Sequence, residues 1–129
     1  MKTIGLIGGM SWESSLEYYR IINETVKEKL GGLHSAKSIM YSVDFEEIET
    51  LQHQGEWNEA TKLMVDAAQR LERAGADFVI ICTNTMHKMA DDVLSLCRRS
   101  NPGICYEETL ILKEGFEVMS DVVECYVSV

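Results

Sequence analysis

The sequence predicts an α/β fold, a parallel sheet with flanking helices, and three observations carry that prediction. Short apolar runs at residues 3–9, 38–43 and 77–81 have the length and composition of buried strands. The stretches between them place apolar residues three and four apart, the period of amphipathic helices. Their alternation, β-α-β-α-β-α, is that of a parallel sheet with right-handed crossovers.

The first strand, Thr3-Ile4-Gly5-Leu6-Ile7, closes on Gly8-Gly9. Ser11 or Ser14 can cap the helix that follows, because a hydroxyl there accepts from a free N–H of the first turn. Leu16, Tyr19, Ile22, Val26 and Leu30 give this helix an apolar stripe, and Gly31-Gly32 end it. Trp12, Tyr18 and Tyr19 read as packing residues on the same helix. A second strand is predicted at Ser38–Val43, then a short acidic helix at Phe45–Leu51 and a polar turn from Gln52 to Glu56. The strongest helical period runs from Trp57 to Ala74, with Ala60, Leu63, Met64, Ala67, Ala68 and Leu71 inward and Gly75 as the stop. The strand Asp77–Ile81 comes next. Asn84 or Thr85 starts another helix with Met89, Val93 and Leu96 inward. Beyond it a weak helix at Glu107–Glu114 and a final strand at Val122–Val129 complete the reading.

With 129 residues, 46% of them hydrophobic, the chain can bury the core of one ordinary domain. No run approaches the ~20 apolar residues of a membrane span, and no leader precedes the first strand, so a cytoplasmic location is expected. The net charge of −9 argues against nucleic acid, since no basic stripe is present to neutralise phosphates. That charge is uneven: residues 101–129 hold −5 and residues 1–100 hold −4. The composition changes near Arg98–Gly103, which contains the sole proline. Cys82, Cys97, Cys105 and Cys125 form no CxxC pair and no metal-ligand spacing with His34, His53 or His87; free thiols and no metal site are expected.

The most informative junction is Phe78-Val79-Ile80-Ile81 running into Cys82-Thr83-Asn84-Thr85-Met86-His87. In open α/β sheets ligands bind just outside the carboxyl ends of the strands. A thiol placed there, at the start of a helix, suits a nucleophile or general base, and the helix N-terminus would lower its pKa. The plain alternative is a small buried cysteine filling space, but Thr-Asn-Thr is poor core filler. Gly5-x-x-Gly8-Gly9 lacks the dinucleotide-binding spacing. Its glycines serve either a tight turn or the approach of a ligand to the backbone at Met10 and Ser11. A Cys82–His87 pair lacks a third orienting group.

Several separated segments together resemble one family. Met1–Gly9 followed by Met10-Ser11-Trp12-Glu13-Ser14, then Gly32-Leu33-His34-Ser35-Ala36, Ser42-Val43-Asp44-Phe45, Gly55-Glu56-Trp57, Arg73-Ala74-Gly75-Ala76 and Cys82–His87 look like the N-terminal half of the aspartate/glutamate racemase family, near its broad-specificity amino-acid racemase branch. The resemblance covers residues 1–98. It implies one domain resembling half of a two-domain racemase, and it leaves residues 99–129 as an atypical acidic tail.

The resemblance further implies a cofactor-independent (PLP-independent) isomerase acting on a small-molecule amino acid. Two cysteines, one from each domain, remove and return the α-proton on opposite faces. By resemblance Cys82 is the catalytic acid/base. Thr83, Asn84 and Thr85 hold the substrate's carboxylate or ammonium group, and Met10 and Gln52 line the same pocket. The family's second motif, Gly-Cys-Thr, has no counterpart after Arg98, so Cys97, Cys105 and Cys125 inherit no role. A shifted frame or truncated gene would account for that loss, and one thiol cannot serve both faces of a carbon. Alternatives are a non-catalytic domain that binds small carboxylates or pairs with a partner, a homodimer included, and a single-cysteine decarboxylation or cis–trans isomerisation.

Overall fold

Residues 1–82 and the strand at Cys105–Tyr106 are described by the computed structural model. The elements are β1 (Ile4–Gly8), α1 (Trp12–Leu30), β2 (Ser38–Ser42), α2 (Phe45–His53), α3 (Trp57–Arg73), β3 (Phe78–Ile81) and β4 (Cys105–Tyr106). They form a parallel sheet in the order β2-β1-β3-β4, as the α/β reading requires. Ile4 lies opposite Ser38 on one side and Phe78 on the other, so β1 is the central strand of the first three. Its amino end is pinned by reciprocal bonds: Thr3 N–H donates to Asp77 Oδ2 at 2.7 Å, and Asp77 N–H donates to the Thr3 carbonyl at 2.8 Å.

Because side chains alternate across a strand, β1 and β3 feed two separate cores. Ile7, Val79 and Ile81 pack with Ile48 of α2 and with Ala60, Met64, Ala67, Ala68 and Leu71 of α3. The small alanines let α3 lie close to the sheet, and Ile39, Tyr41 and Val43 extend this packing across β2. Leu63, predicted inward on α3, is only partly buried at the edge of the same cluster. On the opposite face Ile4, Leu6, Phe78, Ile80 and Cys82 pack with Tyr18, Ile22 and Val26 of α1.

The apolar stripe predicted for α1 is rotated in the structure. Its buried residues are Ser15, Tyr18, Ile22, Thr25 and Val26, whereas Leu16, Tyr19 and Leu30 are exposed. Trp12, expected to pack, is also exposed. A close approach sets this rotation. Any Cβ at Gly8 would lie 2.8 Å from Ser15 Oγ, so the smallest residues of strand and helix face each other. Ser11 is the residue that caps α1, accepting from Ser14 N–H at 3.4 Å.

Boundaries shift slightly elsewhere. α2 continues two residues past Leu51 to His53, which puts Gln52 in its last turn rather than in a loop. Asp44 caps α2 by accepting from Glu46 N–H at 3.1 Å. Strand β4 was not anticipated; it pairs Phe78 with Cys105 and Val79 with Tyr106. The expected helix after Asn84 or Thr85, the helix at Glu107–Glu114 and the strand at Val122–Val129 lie outside the described residues.

Candidate functional site

The chain leaves β1 for β2 on one side and later returns to β3 on the other, so the strand order reverses between the carboxyl ends of β1 and β3. In doubly wound sheets that reversal opens the crevice where ligands bind. Gly8, Gly9 and Met10 stand at the end of β1, and Cys82 follows Ile81 at the end of β3. The backbones are joined there: Cys82 N–H donates to the Ile7 carbonyl at 2.9 Å, and Val43 N–H donates to the Gly8 carbonyl at 2.9 Å. Gly9 has φ 94° and donates its N–H to the buried Ser15 Oγ at 3.0 Å. Ser11, the only non-glycine with positive φ among the described residues, turns the chain into α1 at φ 64°. The Gly8 carbonyl and the Gly9 N–H are thus held by Val43 and by Ser15 of α1.

The expected site residues are distributed as follows. Met10 is fully buried and belongs to the α2/α3 core with Ile48. Gln52 sits one helical turn beyond Ile48 and is half-buried, so it lies on the Met10 side of the sheet. Cys82 has no solvent-exposed surface and belongs to the α1 core. The structure therefore brings the backbones of Met10 and Cys82 to adjacent strand ends but sends their side chains to opposite faces. Thr83, Asn84 and Thr85, and with them His87, lie outside the described residues.

The expectation of a lowered thiol pKa is corrected. Burial pushes the Cys82 thiol above the ordinary cysteine value, because ionisation in a dry cluster loses hydration. The depth of the sulfur, which a motif does not reveal, sets the direction of the shift. Tyr18 is affected in the same way: burial raises its phenol first, and a negative charge on Cys82 would raise it further. Tyr18 and Ser15 were missed as site neighbours. The signal for Ser15 was a small polar residue placed on α1 to meet Gly8, and for Tyr18 it was a position one turn before Ile22.

An open cleft of about 610 Å³ lies on the α1 face of β2, lined by Trp12, Ser15, Leu16, Tyr19, Ser38, Met40 and Ser42. It shares Ser15 with the glycine turn, but Met10, Gln52 and Cys82 do not line it. Among the described residues, α1 packs on β1 and β3 and leaves β2 bare on that face, which opens the cleft.

The sequence profile of the Asp/Glu/Hydantoin racemase family matches residues 7–104, which include both strand ends of the crevice. The chain belongs to that family. Among similar solved structures, one from Yersinia pestis, designated a candidate Asp/Glu racemase, is 56% identical with a TM-score of 0.76; the match covers 84% of this chain and 45% of that one. An aspartate racemase homologue from Pyrococcus horikoshii OT3 is 34% identical with a TM-score of 0.73, covering 89% of this chain and 50% of its own. The chain thus spans about half the length of the racemase structures it matches. Among the described residues no helix is long and apolar enough to cross a membrane.

Proposed function

We propose that residues 1–98 form the Cys82 side of a cofactor-independent amino-acid racemase site, with residues 99–129 a separate acidic segment that contributes β4 at the sheet edge. The observation that carries this reading is the position of Cys82. It stands at the strand end beside the reversal of strand order, in a chain of racemase sequence. The Cys82 thiolate takes the α-proton of an amino acid and becomes a thiol, leaving a carbanion whose charge spreads into the carboxylate. Thr83, Asn84 and Thr85 supply donors to that carboxylate, while the backbone at Met10 borders the same strand ends and Gln52 bounds the site from the α2 side.

The raised thiol pKa fits this role in one respect and taxes it in another. A thiolate with a high pKa is a stronger base, but little of it exists at neutral pH. The substrate's own ammonium group, brought next to the sulfur, favours the ionised form and offsets part of that cost. Inversion also requires a thiol on the far face. Only Cys82 lies in the family's motif context in this sequence, so the chain alone is expected to exchange the α-proton and return it to the same face. A homodimer that set two Cys82 thiols face to face would supply both faces. The cytoplasm is the location proposed, where thiols stay reduced.

A second reading, a non-catalytic domain that pairs with a partner, is favoured by the exposed Trp12, Leu16, Tyr19 and Met40 around the 610 Å³ cleft. The two are separated by incubating the chain with acidic and neutral L-amino acids in deuterated water. The racemase reading expects deuterium at the α-carbon with configuration retained, lost in Cys82→Ser. Absence of exchange with every substrate favours the pairing domain, and racemisation that survives Cys82→Ser overturns the assignment of the thiol.

A further inference from the structure

Among the described residues, strand β2 is an edge of the sheet and pairs only with β1. Ile4 N–H donates to the Lys37 carbonyl at 2.9 Å and Val43 N–H donates to the Gly8 carbonyl at 2.9 Å, so residues 37 and 43 turn backbone groups toward β1. In a parallel ladder that orientation repeats at every second residue, which faces the N–H and C=O groups of Ser38, Met40 and Ser42 outward. Edge strands are ordinarily blunted by a charge, a proline or a bulge. Ser38-Ile39-Met40-Tyr41-Ser42 has none of these, in a chain of net charge −9, and Met40 is 40% exposed. The same residues also read nearly alike in both directions: serine, a large apolar residue, Met40, a large apolar residue, serine. The other described edge, β4, is only two residues long.

We propose that β2 is a self-pairing edge: two copies of this chain join antiparallel through Ser38–Ser42, about a two-fold axis at Met40, and continue one sheet through both. This register sets Met40 opposite Met40 and Ser38 opposite Ser42, and each pair exchanges both of its outward N–H and C=O groups. On the α2/α3 face Ile39 of one copy meets Tyr41 of the other, an aliphatic–aromatic cross-strand pair. At each end Lys37 of one copy comes opposite Val43 and beside Asp44 of the other, so opposite charges meet. The two clefts, each bordered by Ser38, Met40 and Ser42, join across the axis into one groove walled by Trp12, Leu16 and Tyr19 of both copies. So short an edge makes a small interface, and a weak, micromolar association is expected. Antiparallel pairing points the carboxyl ends of the two halves in opposite directions. It leaves the Cys82 thiols about five strand spacings, roughly 24 Å, apart across the sheet, so this dimer is not the face-to-face pair that inversion needs. The inference names the partner for the pairing reading of the cleft and does not depend on the role of Cys82.

The test follows the mass of the full chain, 14.6 kDa as a monomer, by analytical ultracentrifugation. Between about 1 µM and about 1 mM a reversible rise to twice that mass is expected. Over the same range hydrogen exchange at the Ser38, Met40 and Ser42 amides is expected to slow as the concentration rises, a readout that needs no variant. Met40→Lys and Met40→Glu each set like charges against one another on the axis and are expected to weaken self-association at least about 100-fold. An equimolar mixture of the two is expected to restore a dimer. Such mutual rescue is a signature that unfolding or general stickiness cannot give. A chain that stays monomeric throughout overturns the proposal, as do amides protected equally at every concentration, which would place another segment of this chain on the edge. Charge variants that fail to pair with each other also overturn it. Self-association untouched by either substitution would overturn this surface while keeping the pairing reading, and α-proton exchange in Cys82→Ser tests the racemase reading separately.

Discussion

The two faces of the sheet are built from the same strands and finished differently. On the α2/α3 face, two helices cover β1, β2 and β3, and the packed residues run from Ile39 and Tyr41 across Ile7 to Val79. On the α1 face, among the described residues, a single helix covers β1 and β3 and leaves Ser38, Met40 and Ser42 of β2 beside an open cleft. Met10 belongs to the first face and Cys82 to the second. The difference shows how the described part of one short sheet can pack fully on one side and leave part of β2 open on the side that holds its thiol.

The sharpest way to break this arrangement is at the turn both faces share. A Cβ at Gly9 would fall on the Val43 carbonyl oxygen, and the residue has positive φ. Gly9→Ala is therefore expected to cost more than about 3 kcal/mol, measured by urea unfolding; a loss below about 1 kcal/mol would show that the turn can be rebuilt.

Paired truncations sharpen the contrast between the faces. Met64→Ala, in the α2/α3 core, is expected to lose about 2–5 kcal/mol, whereas Leu16→Ala on the open cleft should change stability by no more than about 0.5 kcal/mol. A large loss at Leu16 would mean that the cleft is covered in solution, and the contrast would fail.

The smallest effect is a slope. Burial raises the Cys82 pKa in the folded chain. Above about pH 8.5, where an unfolded cysteine ionises, the native state keeps a proton that the unfolded state has lost. The contribution of this group is complete below that pH and declines as the pH rises toward the higher folded value. The alkaline fall in stability should accordingly be shallower in Cys82→Ser than in the parent chain. Equal slopes from pH 8 to 10 would place the thiol in contact with water.

How much of this was legible in the sequence depended on whether one residue pattern admitted one reading. The run Phe78–Ile81 is apolar without a break, so its burial on both faces was readable. The period of α3 offered a single inner face, and only Leu63 at its margin departs from it. Helix α1 carries two apolar stripes, one through Leu16 and Tyr19 and one through Tyr18 and Ile22. Periodicity cannot choose between them, and a tertiary contact, Ser15 against Gly8, makes the choice. Strand β4 is two residues long and has no period to detect. The family motifs indicated which residues matter, Met10, Gln52 and Cys82 among them, but not that the side chains of Met10 and Cys82 would part to opposite faces. By strand parity Met10 would share the α1 face with Leu6 and Gly8, and it is the turn at Gly9, with φ 94°, that carries it to the other face.

The placement of β1 has a consequence for synthesis on the ribosome. It is made before both of its neighbours, β2 and β3, whose residues 38–42 and 78–81 follow much later in the chain. At about 5–20 residues per second, the gap between completing β2 and completing β3 is on the order of 2–8 s. During that interval one edge of β1 has only water or a chaperone to satisfy it. The bond from Cys82 N–H to the Ile7 carbonyl, which closes the crevice, belongs to the last of these pairings to become available. The thiol at that strand end is therefore set in place only when the nascent three-strand sheet is whole.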